Sequence, residues 1–113
     1  MASRIQTFSE FWPFYLGEHS KPATRTMHFI GSCGVLLNVA VSVALMQPWY
    51  LLGAPLIGYG FAWVSHFFIE KNRPATFTYP LWSLIADWKM WALMLTGRLE
   101  RELAAVRPTV PQS

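Results

Sequence analysis

Charge is what this sequence has least of. Between Arg25 and Glu70 there is no Asp, Glu, Lys or Arg, and over the whole chain 13% of residues are charged against 53% hydrophobic, where a soluble domain carries about a quarter charged. That scarcity argues against an ordinary water-soluble core and makes a membrane protein the leading class. Cysteine is almost missing too. Cys33 alone excludes a disulfide framework and a cysteine-ligated metal site within one chain. There is no basic run and no RNA-binding signature, so the net charge of +3 does not point to nucleic acid. A cleavable signal peptide is not expected, because Glu10 and Pro13 interrupt the start of the chain where an unbroken apolar core belongs. The three histidines are too few for the ligand boxes of a histidine-rich di-iron hydroxylase.

The uncharged stretch is long enough for two bilayer crossings, since one spanning helix needs about 20 apolar residues. Gln47 to Tyr50, "QPWY", supplies a polar break, a proline and two interfacial aromatics where a tight turn would fall. The expected fold is an all-α membrane protein of one domain, 1–113, with a transmembrane helical hairpin over 28–46 and 49–70. Interfacial helices flank it. The first covers 7–18, capped by Thr7 or Ser9, with Phe8, Phe11, Trp12, Phe14 and Tyr15 at the headgroup level. The other covers 80–104 and lies in the interface or half-buried, because Asp87 and Lys89 would each cost a few kcal/mol at the centre of a span. A third full crossing is its alternative. A charged tail then frays through Pro108 and Pro111. Arg4, Lys21 and Arg25 precede the first span, Lys71 and Arg73 follow the second, and the connecting turn has no basic residue. The positive-inside rule therefore puts both termini on the cytoplasmic side of a bacterial inner membrane or the endoplasmic reticulum.

Counting from Pro48, His28 lies twenty residues back and His66 eighteen forward, so both stand roughly 27–30 Å from the turn at one membrane face. Glu70, at i+4 from His66, is one turn further out, and His19 precedes the first span by a short loop. His19, His28, His66 and Glu70 form a candidate metal-ligand set suited to iron(II) or zinc. Two histidines and a carboxylate on one face of iron leave positions for a chelating substrate and dioxygen. Arg25, Lys71 and Arg73 are candidate substrate contacts, and Asp87 is a candidate for accepting a ligand histidine N–H. Blander readings stand beside these. A histidine near a helix end can rest at the headgroup boundary, Glu70 with Lys71 and Arg73 can be a solvated flank, and Asp87 can pair with Lys89 or Arg98. Two other classes remain open: a haem-binding electron-transfer hairpin, and a non-enzymatic homo-oligomer built through Gly31, Gly34 and Asn38 or through Gly53, Gly58 and Ala62.

Two segments, "FYLGEHSKPATRTMHFIG" (Phe14 to Gly31) and "GYGFAWVSHFFIEKNRPATFTYPLWSLIADWKM" (Gly58 to Met90), resemble the Mpo-type 2-hydroxy fatty acid dioxygenase family of small membrane proteins. They cover nearly half the chain in the right order, and the later one is specific in combining His, Glu, Asn-Arg-Pro-Ala and Ser-Leu-x-x-Asp. The resemblance implies an iron(II)-dependent dioxygenase that shortens a 2-hydroxy fatty acid by one carbon in α-oxidation. It implies that His19, His28 and His66 are required, with Glu70 as carboxylate partner. Set beside the eukaryotic members of that family the chain is shorter, and their additional spans are not expected in it.

Overall fold

A computed structural model describes residues 4–106, and every regular element among them is helical. The expected fraying of the tail at Pro108 and Pro111 lies outside the described residues. The helices are α1 (Phe8–Gly17), α2 (Pro22–Ala44), α3 (Gly53–Val64), α4 (Pro80–Leu95) and α5 (Leu99–Val106). 3-10 turns cover Pro48–Leu52 and Ala75–Phe77, and a π-helical turn covers Ser65–Glu70. The chain divides into two units, Lys21–Pro74 and a second made of the residues up to Ser20 together with those from Ala75 onward.

In the unit Lys21–Pro74, α2 begins with Pro22 at its first position, where the missing N–H is no loss and the fixed φ suits a helix. It therefore starts ahead of the expected residue 28, since nothing in "ATRT" breaks a helix, and His28 sits within its second turn rather than at its end. After Ala44 the chain leaves the helix through Met46 at φ 53. Met46 N bonds to Val43 O at 3.1 Å and Gln47 N to Ser42 O at 2.9 Å, the paired closure of a left-handed helix terminus. Pro48 then starts the next helix. Pro22–Ala44 and Pro48–Glu70 are each 23 residues with mean hydropathies of 1.7 and 1.3, long and apolar enough to cross a membrane. Only 17% and 11% of their most apolar windows are buried within the chain, so neither is covered as the core helix of a soluble protein would be. Leu37, Val43, Leu52, Leu56 and Phe68 all point outward.

Small residues let α2 and α3 approach closely. A Cβ at Gly31 would lie 2.8 Å from Phe61 Cβ, one at Gly34 2.8 Å from Ile57 Cγ2, and one at Gly53 2.9 Å from Asn38 Nδ2. These pairs run in opposite order along the two helices, so the contact is antiparallel. The small residues considered as an oligomerisation face, Gly31, Gly34, Asn38, Gly53 and Gly58, are thus occupied within the chain itself.

The second unit is built on an aromatic core. Thr7 Oγ1 accepts from Glu10 N at 3.2 Å and caps α1. Phe11, Trp12, Tyr15 and Leu16 of α1 are buried with Ala86 and Met90 of α4 and Leu99 and Leu103 of α5. The α1 aromatics expected at the headgroup level therefore face protein: Phe11 and Tyr15 are 0% exposed, and Trp12 Nε1 donates to Glu102 Oε1 at 3.0 Å. Lys89 Nζ stands 4.2 Å from the Trp12 ring centroid, a cation–π contact in place of the considered pairing with Asp87. The helix expected over 80–104 is interrupted. Gly97 at φ 74 ends α4, with Arg98 N closing onto Leu93 O at 2.8 Å, and α5 follows.

Candidate metal centre

His28 and His66 meet in the unit Lys21–Pro74. Both are buried, and their ring centroids are 5.1 Å apart at an interplanar angle of 87°. His28 Nδ1–H donates to Thr24 O at 3.0 Å and shares Ser65 Oγ at 3.2 Å, whose own proton goes to Ala62 O at 2.6 Å. His66 Nδ1–H donates to Asn72 Oδ1 at 2.7 Å. Glu70 Oε1 accepts the Lys21 backbone N–H at 2.6 Å, where a carboxylate satisfies an orphan donor and meets the positive end of the helix dipole. Lys21 Nζ donates in turn to Ile69 O at 3.1 Å. This reciprocal clasp ties the start of α2 to the end of the π-helical turn, about two helical turns before His28 and one beyond His66. Arg25 is buried in the first turn of α2, while Lys71 and Arg73 are exposed.

In the other unit, His19 follows α1 and is buried. Its Nδ1–H donates to Tyr15 O at 2.7 Å, and its ring stacks on the Tyr15 ring at 4.0 Å between centroids. The Tyr15 hydroxyl donates to Asp87 Oδ1 at 2.5 Å. Asp87, expected to accept a histidine N–H, is thus bonded to the tyrosine that carries His19. Burial pushes the Asp87 carboxyl up from 3.8 to about 7, against the opposing effect of the Tyr15 bond. Burial also raises the Tyr15 hydroxyl well above its usual value, reinforced by Asp87. The sign for stability follows directly. Between about pH 4 and pH 7 the folded chain keeps a proton on Asp87 that the unfolded chain has released, so this contribution is complete below pH 4 and is lost as pH rises to about 7. In detergent, the melting midpoint is expected to fall across that window. Asp87→Asn keeps an oxygen for Tyr15 and should flatten the slope; an undiminished slope in that variant would assign it to other groups.

The donor set fits a divalent metal ion. Each of the three histidines uses Nδ1–H to donate to a carbonyl-type oxygen, which places the neutral ring's lone pair on Nε2. Metal-ligating histidines carry the same kind of outer hydrogen bond. A coordinated imidazole nitrogen sits about 2.0–2.1 Å from the ion, so two imidazoles at roughly 90–110° around one ion have centroids roughly 4.5–5.2 Å apart. The 5.1 Å between His28 and His66 lies in that range. Ligands on opposite faces of a haem would stand roughly 6.4 Å apart, so the spacing disfavours the haem reading. Thr24, wholly buried one turn before His28, has a hydroxyl with no hydrogen-bond partner among the described residues. A buried hydroxyl in that state costs about 1–3 kcal/mol unless a bound molecule satisfies it.

Asn72, Ser65 and Tyr15 are the contacts that reading by residue type missed. Their only sequence signal is spacing: a serine just before His66, an asparagine just past the apolar run, and a tyrosine at i−4 from His19. Among known proteins, the sequence matches the family described as 2-hydroxy-palmitic acid dioxygenase Mpo1-like over residues 5–99. No curated protein and no solved structure matches.

Proposed function

The chain belongs to the 2-hydroxy-palmitic acid dioxygenase Mpo1-like family, and from that premise we propose that it is a membrane-embedded, iron(II)-dependent dioxygenase that shortens a 2-hydroxy fatty acid by one carbon. The observation that carries this reading is the buried His28–His66 pair, at a spacing suited to one ion, with both Nδ1 atoms held as donors. His19, which the sequence offers as a third imidazole, is buried within the other unit and held in the same tautomer. Pro22–Ala44 and Pro48–Glu70 cross the bilayer as a hairpin, with the Lys21–Glu70 clasp and the basic flanks at its cytoplasmic end. Glu70 acts in that clasp. Its place as a fourth ligand is the weaker alternative, because Oε1 is engaged by the Lys21 N–H.

Iron(II), when bound, supplies the redox chemistry that lets dioxygen oxidise the acid. The chain's own residues do the rest. Exposed Lys71 and Arg73 draw the carboxylate of the fatty acid to the cytoplasmic face, a modest electrostatic effect at a solvated surface. Arg25, buried one turn before His28, balances the carboxylate once it has entered. The acyl tail stays in the bilayer beside outward-facing residues such as Phe67 and Phe68, so the reacting end is presented at the level of the histidines and held there. The Thr24 hydroxyl offers a hydrogen bond to an oxygen of the bound acid.

Anaerobically purified protein is expected to contain stoichiometric iron and to consume oxygen with a 2-hydroxy fatty acid, releasing the acid one carbon shorter. Zinc in place of iron, or oxygen uptake equal with and without the hydroxy acid, would defeat the proposal. The hairpin is checked separately. Reporter fusions after Arg4 and at the C-terminal end should lie on the same side of the membrane, and opposite sides would make α4 a third crossing.

A further inference from the structure

The turn that ends the second long helix is one residue wider than an ordinary helix terminus, and that width selects the residue it grips. At the ends of α2 and α4 the closing bond runs from residue 47 back to residue 42 and from residue 98 back to residue 93. Each spans five positions, as expected for a left-handed terminus. At Lys71, itself left-handed with φ 61, the bond runs from Asn72 N back to His66 O at 2.9 Å, a span of six. The extra position comes from the π-helical turn over Ser65–Glu70, and Lys71 N–H bonds to the same His66 carbonyl.

An α-helical ending would have closed on Phe67 and carried the Asn72 side chain past the histidine. The wider one closes on His66 and returns the Asn72 amide to its ring, where Oδ1 takes the Nδ1–H at 2.7 Å. Both a π-helical turn and a left-handed non-glycine residue are unfavourable in themselves, and such features collect at functional sites. An acceptor on Nδ1–H fixes the ring plane and tautomer and makes Nε2 the better donor to a metal.

We propose that Asn72 is the positioning residue for His66, and that the wide π-turn serves to deliver its amide oxygen to the ring. The inference rests on the reading of His66 as a metal ligand. The test is a cobalt(II) titration of the full chain in detergent, followed by the visible ligand-field bands, with circular dichroism and the melting midpoint of the metal-free protein recorded alongside. Asn72→Leu keeps the side chain's size and removes the acceptor. It is expected to bind cobalt(II) about 10–100-fold more weakly, with a lower metal-free melting midpoint as well, since the buried Nδ1–H loses its acceptor while both backbone bonds to His66 O remain; the loss of affinity is the deciding readout. Asn72→Asp keeps an acceptor and should bind at least as tightly as wild type. A merely structural asparagine would lower the melting midpoint and leave affinity alone. Equal affinity in Asn72→Leu and wild type overturns the inference. If Asn72→Leu does not fold, Asn72→Asp decides, and tenfold weaker binding there overturns it. His66→Ala separates the two claims: cobalt(II) binding unaffected by that change would remove the metal reading itself, and this inference with it.

Discussion

Alanine at either His28 or His66 is expected to abolish metal binding and turnover, and alanine at both to do little further harm. The reason is geometric. With ring centroids 5.1 Å apart the two imidazoles are spaced to share one ion, and under the proposed function losing either leaves a site that no longer holds it. Residues that act as a unit are strongly non-additive, so each single change should lower turnover by more than 100-fold and the double change should match the worse single one. Two independent buried histidines would behave differently, each change having its own modest effect and the two adding. Iron content and oxygen uptake with a 2-hydroxy fatty acid, measured on wild type and the three variants, separate these outcomes. Circular dichroism shows whether the helices survive. Additive losses, or iron retained in the double variant, would mean that the pair is structural.

Much of the helical architecture was legible because it depends on long, simple patterns. The absence of charge from Arg25 to Glu70, with its break at Gln47 to Tyr50, marks two long apolar helices whatever the side chains do in detail. Counting residues outward from Pro48 was enough to put His28 and His66 at one level. What was not legible depends on single backbone choices or on what covers a face. The aromatic spacing of α1 reads the same whether Phe11, Trp12 and Tyr15 meet lipid or protein, because a helix's apolar face does not name its partner. The start of α2 at Pro22 turned on whether "ATRT" would join the helix, which propensity decides weakly. The grip of Asn72 on His66 required one extra residue in a helical turn, a shift that leaves no mark on hydrophobic periodicity. Glu70 stood at the right spacing to be a ligand, yet a carboxylate beside a helix N-terminus has a competing use, and the structure places its Oε1 on the Lys21 N–H.

Gly31→Ala is expected to destabilise the protein and weaken metal binding, whereas Gly60→Ala should do neither. At Gly31 the added Cβ would sit 2.8 Å from Phe61 Cβ and 3.7 Å from Ile57 O. A Cβ cannot rotate away as a side-chain tip can, so the two helices must separate. Overpacking of this kind typically costs about 1–3 kcal/mol, against a gain of about 1 kcal/mol for replacing glycine by alanine in a helix. At Gly60 nothing lies within 4 Å of the added Cβ, so only the gain remains and the melting midpoint should hold or rise. The consequence for function comes from position. Gly31 lies one turn from His28 on α2, and Phe61 precedes His66 on the facing helix, so separation at this contact widens the gap across which one metal ion is proposed to bind. Unfolding in detergent and cobalt(II) titration of both variants provide the test. Similar stability and similar affinity in the two would show that the α2–α3 contact yields without strain, and that the spacing of the histidines is set elsewhere.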